Sequence, residues 1–98
     1  MKRFVLTPPA QQDLAEIRRF LGDSGGPKIA RSVMNKLRAA LELVGRSPGL
    51  GHVRRDLTNR PLKFRPVYAW LIIYDPATVP VRIIGVVHGM QDVEDILT

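Results

Sequence analysis

Apolar residues change their spacing along the chain, and the changes divide it into elements. Phe4, Val5 and Leu6 form a short apolar run that predicts a first strand. Thr7 then offers a side-chain oxygen as N-cap, and Pro8 and Pro9 enter a first helical turn, where a missing N–H costs nothing. Ala10, Leu14, Ile17 and Leu21 recur at helical spacing, with Phe20 beside them. Gln11, Asp13, Glu16, Arg18 and Arg19 take the other faces, the acids early and the arginines late, as the helix dipole favours. This predicts a helix over about Pro9 to Leu21, ended by Gly22 and followed by the connector Asp23-Ser24-Gly25-Gly26.

Pro27 restarts a helix. Ile29 or Ala30, Val33, Leu37, Ala40 or Leu41, and Val44 form a second apolar stripe. Gly45 and then Ser47-Pro48-Gly49 close a helix of roughly 18 residues and about 27 Å. The short connector favours an antiparallel helical hairpin, and alanines at 30, 39 and 40 allow close approach. Residues 47 to 61 are punctuated by Pro48, Gly49, Gly51, Asn59 and Pro61 and read as loop. From Leu62 the period becomes two. Leu62 and Phe64 point one way and Lys63 and Arg65 the other, toward an exposed face, until Pro66 breaks the strand or confines it to an edge. Tyr68 to Tyr74 is nearly all apolar and predicts a central strand buried on both faces. Asp75-Pro76-Ala77-Thr78 makes a turn, and Val81 to His88 is a last strand. Short links between these three strands predict an antiparallel meander. Asp92 then caps a short helix, with Asp95 at its third position and Val93, Ile96 and Leu97 available to pack. The order β-α-α-β-β-β with a short C-terminal helix predicts a single α+β domain over residues 1–98, its N-terminal hairpin packed on an antiparallel sheet.

Composition narrows the class. A chain of 98 residues that is 45% hydrophobic builds one core. No apolar run approaches the roughly 18 residues of a membrane helix, and the N-terminal apolar run is too short for a secretory signal. The expectation is a cytoplasmic protein with no membrane partner. Without cysteine there is no disulfide framework, thiolate nucleophile or cysteine-based zinc site, and His52 and His88 are too lightly accompanied to argue for a metal or cofactor. The net charge of +6 is uneven. Arg46, Arg54, Arg55, Arg60, Lys63 and Arg65 follow one another with only Asp56 against them, whereas Asp92, Glu94 and Asp95 reverse the sign after His88. Such a run attracts polyanions or an acidic protein surface.

Enzyme templates are mostly missing. Neither phosphate-binding glycine motif nor H-E-x-x-H occurs, and Gly49-Leu50-Gly51 reads as a turn. Asp13 and Glu16 read as a solvated helix face. On the last strand, alternation puts Arg82, Ile84, Val86 and His88 on one face and Val81, Ile83, Gly85 and Val87 on the other. Arg82 and His88 are then roughly 20 Å apart and do not act on one atom. His88 is either a general base or phosphate contact, or a strand-end histidine bonded to backbone. Tyr74 is either a hydroxyl at a site rim or a core tyrosine with a satisfied hydroxyl, and Trp70 either a base-stacking platform or core, the core reading being favoured for both. Arg54, Arg55, Lys63, Arg65 and His88 form the candidate surface for an anion or a macromolecular target.

Leu6-Thr7-Pro8-Pro9-Ala10, with Asp13-Leu14 and Glu16-Ile17 after it, resembles the opening of the RelE/ParE toxin family. So do Ser47-Pro48-Gly49-Leu50-Gly51, the strand ending Ile72-Ile73-Tyr74, and the closing Val86-Val87-His88-Gly89-Met90-Gln91-Asp92. The resemblance implies a growth-inhibiting toxin of a bacterial type II toxin–antitoxin system, of the kind that stabilises plasmids. Its cognate antitoxin would come from the same operon. That antitoxin would be ParD-like, with a DNA-binding N-terminal region and a C-terminal segment that wraps the toxin, and operator DNA would be met only through it. Its groove is expected near Leu14, Ile17, Leu37, Leu41 and Trp70, between the hairpin and the sheet. RelE-like members cut ribosome-bound mRNA and carry an arginine three residues before the strand tyrosine; here that position is Leu71. They also place an arginine after the last strand and often a tyrosine in the C-terminal segment, and the stretch Gly89 to Asp95 has neither. The resemblance is therefore closer to ParE-like members, which inhibit DNA gyrase and are not enzymes, although Gln91 stands where these commonly have arginine. The alternatives are a metal-independent ribosome-dependent endoribonuclease using Lys63, Arg65, Arg82 and His88, and a non-toxic co-repressor acting with the antitoxin.

Overall fold

The computed structural model describes residues 3–89. Strand β1 (Phe4–Leu6) leads into helices α1 (Pro8–Gly25) and α2 (Pro27–Arg46), then a single 3-10 turn at Pro48–Leu50. Strands β2 (Lys63–Val67), β3 (Trp70–Asp75) and β4 (Val81–His88) follow. The short helix expected from Asp92 lies outside the described residues.

Both helices start as their sequences dictate and run longer than expected. Thr7 caps α1, its Oγ1 accepting from the Ala10 N–H at 3.4 Å while donating to Ile83 O at 2.8 Å. The cap thus also ties the helix start to β4. Gly22 does not end α1. An exposed glycine inside a helix costs only about 1 kcal/mol relative to alanine. The effective stop is Gly26, which sits at φ 86° and donates its N–H to Gly22 O at 3.1 Å, with Pro27 opening α2 directly behind it. Gly45 is likewise inside α2. A Cβ there would lie 2.9 Å from the carbonyl oxygen of Arg3, so glycine lets the helix cross the start of β1 closely.

The four strands form one sheet in the order β1-β4-β3-β2. The meander β2-β3-β4 is antiparallel as expected, and Pro66 is held within the edge strand β2. The sheet is mixed, however, because β1 pairs with β4 in parallel, Phe4 opposite Val81 and Leu6 opposite Ile83. Alternating directions within the meander do not bear on β1, whose direction is set by the long path through α1, α2 and the loop before β2. Tyr68, expected in the central strand, instead sits in the β2–β3 turn at φ 55°.

Two apolar clusters lie on opposite faces of the sheet. The hairpin covers one, where Ile17, Leu37, Leu41 and Val44 meet Ile72, Tyr74, Ile83 and Val86. Leu62, Phe64, Leu71, Ile73 and Val87 fill the other, with Leu57 and Ile84 packed at its border. Strand β3 is therefore buried on both faces, as its composition predicts.

Strand β4 does not alternate throughout. Ile73 pairs with Gly85 and Tyr74 with Ile83, leaving Ile84 as an extra residue in a β-bulge. Past the bulge the faces exchange. Val86 shares the hairpin side with Val81 and Ile83, while Val87 joins Ile84 on the other. The simple alternation expected for this strand is thus corrected by one inserted residue.

Candidate functional site

The basic residues that are neighbours in sequence are separated in space. Lys63 and Arg65 lie opposite Tyr74 and Ile72, on the hairpin side of β2. They are half-buried rather than exposed, and Lys63 Nζ donates to Gly49 O at 3.3 Å. Their stems cover the edge of the helix-side core, which the alternation alone assigns to solvent. Arg54 lies in the loop over the opposite face and makes a two-pronged pair with Asp56, Nε to Oδ1 at 3.0 Å and Nη2 to Oδ2 at 2.8 Å. This pairing holds the Asp56 carboxyl below its usual range and lifts Arg54 above its own. Arg55 beside it is exposed.

Arg82 and His88 are exposed at opposite ends of β4, and the bulge places them on opposite faces of the sheet. His88 stands two strands across from β2, roughly 10 Å away at the usual strand spacing. Its ring meets Trp70 edge-on, with centroids 6.4 Å apart. The positions Lys63, Arg65, Arg82 and His88 do not converge on one point. Leu71, where RelE-like chains carry an arginine, is buried on the face opposite Tyr74.

Tyr74 and Asp13 organise the site region. The Tyr74 hydroxyl donates to Pro48 O at 2.6 Å and accepts from the Gly51 N–H at 2.8 Å. Burial raises its pKa, against the Gly51 N–H and the charge of Arg65, so the phenol stays a donor. Any side chain at Gly51 would overlap that hydroxyl, which explains a glycine in this turn. Asp13 is half-buried and accepts from the Val86 N–H at 2.9 Å through Oδ2. Strand alternation turns that amide away from β3, past the point where β1 stops pairing at Ile83, and a carboxylate from α1 satisfies it. Burial raises the Asp13 pKa most, the Val86 N–H lowers it, and the charge of Glu16 raises it again. Asp13, expected on a solvated helix face, is instead part of the contact between α1 and β4. Its place between Ala10 and Ile17, within the apolar stripe, was the available signal.

The five residues expected to line a partner groove divide between two clefts. Leu14, Leu37 and Leu41 floor a cleft of about 280 Å³ between α1, α2 and β1, together with Phe4, Leu6 and Met34. Arg18 and Arg38 stand on its rim. Toward the hairpin tip the cleft continues past Arg31, and toward β1 past Arg3 and Arg46. Ile17 and Trp70 belong to a separate cleft of about 440 Å³ between α1 and the end of β4, rimmed by Asp13, Glu16, Phe20 and His88. Ile17, Leu37 and Leu41 are at most 7% exposed and serve chiefly as core, whereas Leu14 and Trp70 are half-buried. The two clefts differ in sign: arginine lines the first, and carboxylates border the second. Among the described residues, no group of His, Asp and Glu is gathered in a way that could hold a metal ion. No helix among them is long and apolar enough to cross a membrane.

The sequence matches the family model for the ParE toxin of the type II toxin–antitoxin system parDE over residues 4–93. It is 28% identical over 93 residues to Toxin ParE3 of Caulobacter vibrioides, an alignment that covers 94% of this chain and 91% of that protein. The fold is similar to a solved chain of the chromosomal ParDE toxin–antitoxin system from P. aeruginosa, with a TM-score of 0.74. That likeness covers 87% of this chain and 92% of the other at 13% identity, and it is one of fold.

Proposed function

The chain belongs to the ParE toxin family of type II toxin–antitoxin systems, and from that premise we propose that it arrests growth by binding and inhibiting DNA gyrase until a cognate antitoxin masks it. The observation that favours inhibition by binding over RNA cleavage is the dispersal of the cations. Phosphoryl chemistry needs charge-stabilising groups aimed at one reacting centre. Here Arg82 lies across the sheet from Lys63 and Arg65, and Leu71 occupies the position of the RelE-like arginine.

Membership of the family implies an antitoxin partner. Its toxin-wrapping segment fits the arginine-lined cleft between α1, α2 and β1, where an apolar floor suits a short helix and the cationic rim suits acidic flanks. Operator DNA is reached through the antitoxin, and the toxin works in the cytoplasm, as plasmid-stabilising members of such systems do.

The test is a supercoiling assay with purified toxin, purified gyrase and relaxed plasmid. Inhibition that antitoxin reverses is the expected result. Unimpaired supercoiling, with new ribosome-phased mRNA ends after induction, would replace this reading with the nuclease. Normal growth after induction without antitoxin would leave only the co-repressor role.

A further inference from the structure

Tyr68 is held in a backbone conformation that its side chain disfavours. Val67 pairs with Trp70, so β2 and β3 are joined by the two-residue turn Tyr68-Ala69. A turn of this length needs positive φ at its first position or at both, and glycine, asparagine or aspartate ordinarily supplies it. Here Tyr68 takes φ 55°, alone among the described residues other than glycine. A bulky residue there is strained, and such strain persists only where the surrounding structure imposes it. The Gly89 N–H, which donates to Ala69 O at 2.8 Å, pins the turn to the chain just past β4.

Folding does not explain the tyrosine. It is 65% exposed, and its hydroxyl has no hydrogen-bond partner among the described residues. The residue instead borders a shallow cleft of about 390 Å³ between α2 and the β2 edge. Ala39, Leu43 and Val67 give this cleft apolar walls, Lys36 and Arg65 supply two cations, and no described carboxylate lines it. On α2 these positions lie on the far side from Met34, Leu37, Arg38 and Leu41, which line the cleft toward α1 and β1.

We propose that the Tyr68 turn, with Lys36 and Arg65, is the surface that grips gyrase. The ring seats in an apolar recess on an acidic face of the target, whose carboxylates meet the two cations. Tyrosine and arginine are the residues that most often anchor protein interfaces, and a tyrosine ring loses little freedom on binding. The left-handed backbone fixes the direction of its Cα–Cβ bond before the target arrives. The inference rests on the gyrase reading and adds where contact is made. It also separates the partners. Antitoxin and target take opposite sides of α2, and a bound antitoxin blocks a large target by bulk rather than by occupying its contact residues.

The experiment measures supercoiling inhibition with purified gyrase and relaxed plasmid for the wild type, Tyr68→Gly, Tyr68→Phe and Lys36→Glu. Calorimetry follows the binding of each to the product of the short reading frame adjacent to the toxin gene. Glycine adopts φ 55° without strain, so Tyr68→Gly keeps a thermal midpoint at or above that of the wild type. Its inhibitory concentration nevertheless rises roughly 10-fold or more, as loss of an anchor requires. Tyr68→Phe keeps the ring and inhibits nearly as the wild type does. Lys36→Glu weakens inhibition in low salt, and the loss shrinks as salt rises. All three variants bind the antitoxin with wild-type affinity. A folded Tyr68→Gly that inhibits like the wild type overturns the inference and leaves the gyrase reading standing. Antitoxin binding lost in step with inhibition assigns the turn to the antitoxin and also overturns it. Wild-type toxin that leaves supercoiling unimpaired removes the gyrase reading itself, and this inference with it.

Discussion

The two faces of the sheet are covered by different means. On one, two amphipathic helices lay continuous apolar stripes against β3 and β4. On the other, irregular chain closes over Leu62, Phe64, Leu71, Ile73 and Val87. Helices satisfy their own backbone and need only apolar contact to dock. A loop must find partners for its backbone elsewhere. Here it finds them in the His52–Phe64 bridge, in Thr58, whose Oγ1 accepts the Arg60 N–H at 3.1 Å, and in the Tyr74 hydroxyl, which reaches Pro48 and Gly51 from the helix side. The loop face is thus held chiefly by a few specific polar tethers, and the helix face chiefly by apolar contacts, with Thr7 and Asp13 adding two polar ties from α1 to β4.

The largest test of that contrast is a matched pair of core truncations. Phe64→Ala is expected to cost about 3–5 kcal/mol and Leu37→Ala about 2–5 kcal/mol in urea unfolding. A much smaller cost for Phe64 would mean that the loop face is loosely closed and would dissolve the contrast. Tyr74→Phe comes next. It leaves the ring but strips the partner from the Gly51 N–H, with an expected loss of about 1–3 kcal/mol. Proteolysis within residues 52–62 should accelerate more than global unfolding does. Equal acceleration would show that the tether is not local.

Asp13 gives a test with a sign. Its native pKa is raised, mainly by burial. Its favourable contribution is therefore complete below the ordinary carboxylate value, about 3.9, and is lost as the pH rises through the native value. Asp13→Asn keeps an acceptor for the Val86 N–H and removes this dependence. The variant should gain on the wild type between urea midpoints measured at pH 4 and pH 7, whereas Asp13→Ala should fall below both. The smallest effect belongs to Arg54→Ala. Its pair with Asp56 is open to solvent, and the thermal midpoint should not move measurably.

The hairpin was legible because α2 repeats its apolar residues at 30, 33, 37, 41 and 44 without interruption. The α+β order followed from the change of period at Leu62. Three features escaped for physical reasons. Gly22 looks like a helix stop, but only Gly26 adopts a positive φ before a proline. The all-apolar run of β4 hides a bulge, because either phase of alternation leaves it buried, and Gly85 is its one mark. The basic run from Arg46 to Arg65 reads as a single patch in sequence, yet the sheet sends Lys63 and Arg65 to the hairpin side and Arg54 to the loop side. Charges add in space, and sequence distance does not report on which side of a sheet they end.

The parallel pairing of β1 with β4 sets the order in which the molecule is completed. Thr7 reaches Ile83 across 76 positions. At about 5–20 residues per second of synthesis, the first strand waits roughly 4–15 s after its own emergence for a partner to be made. The helices and the meander hold contacts that form sooner, being local. The segment made first is the last to be enclosed, so a toxin interrupted before Val81 lacks the strand that joins its two ends.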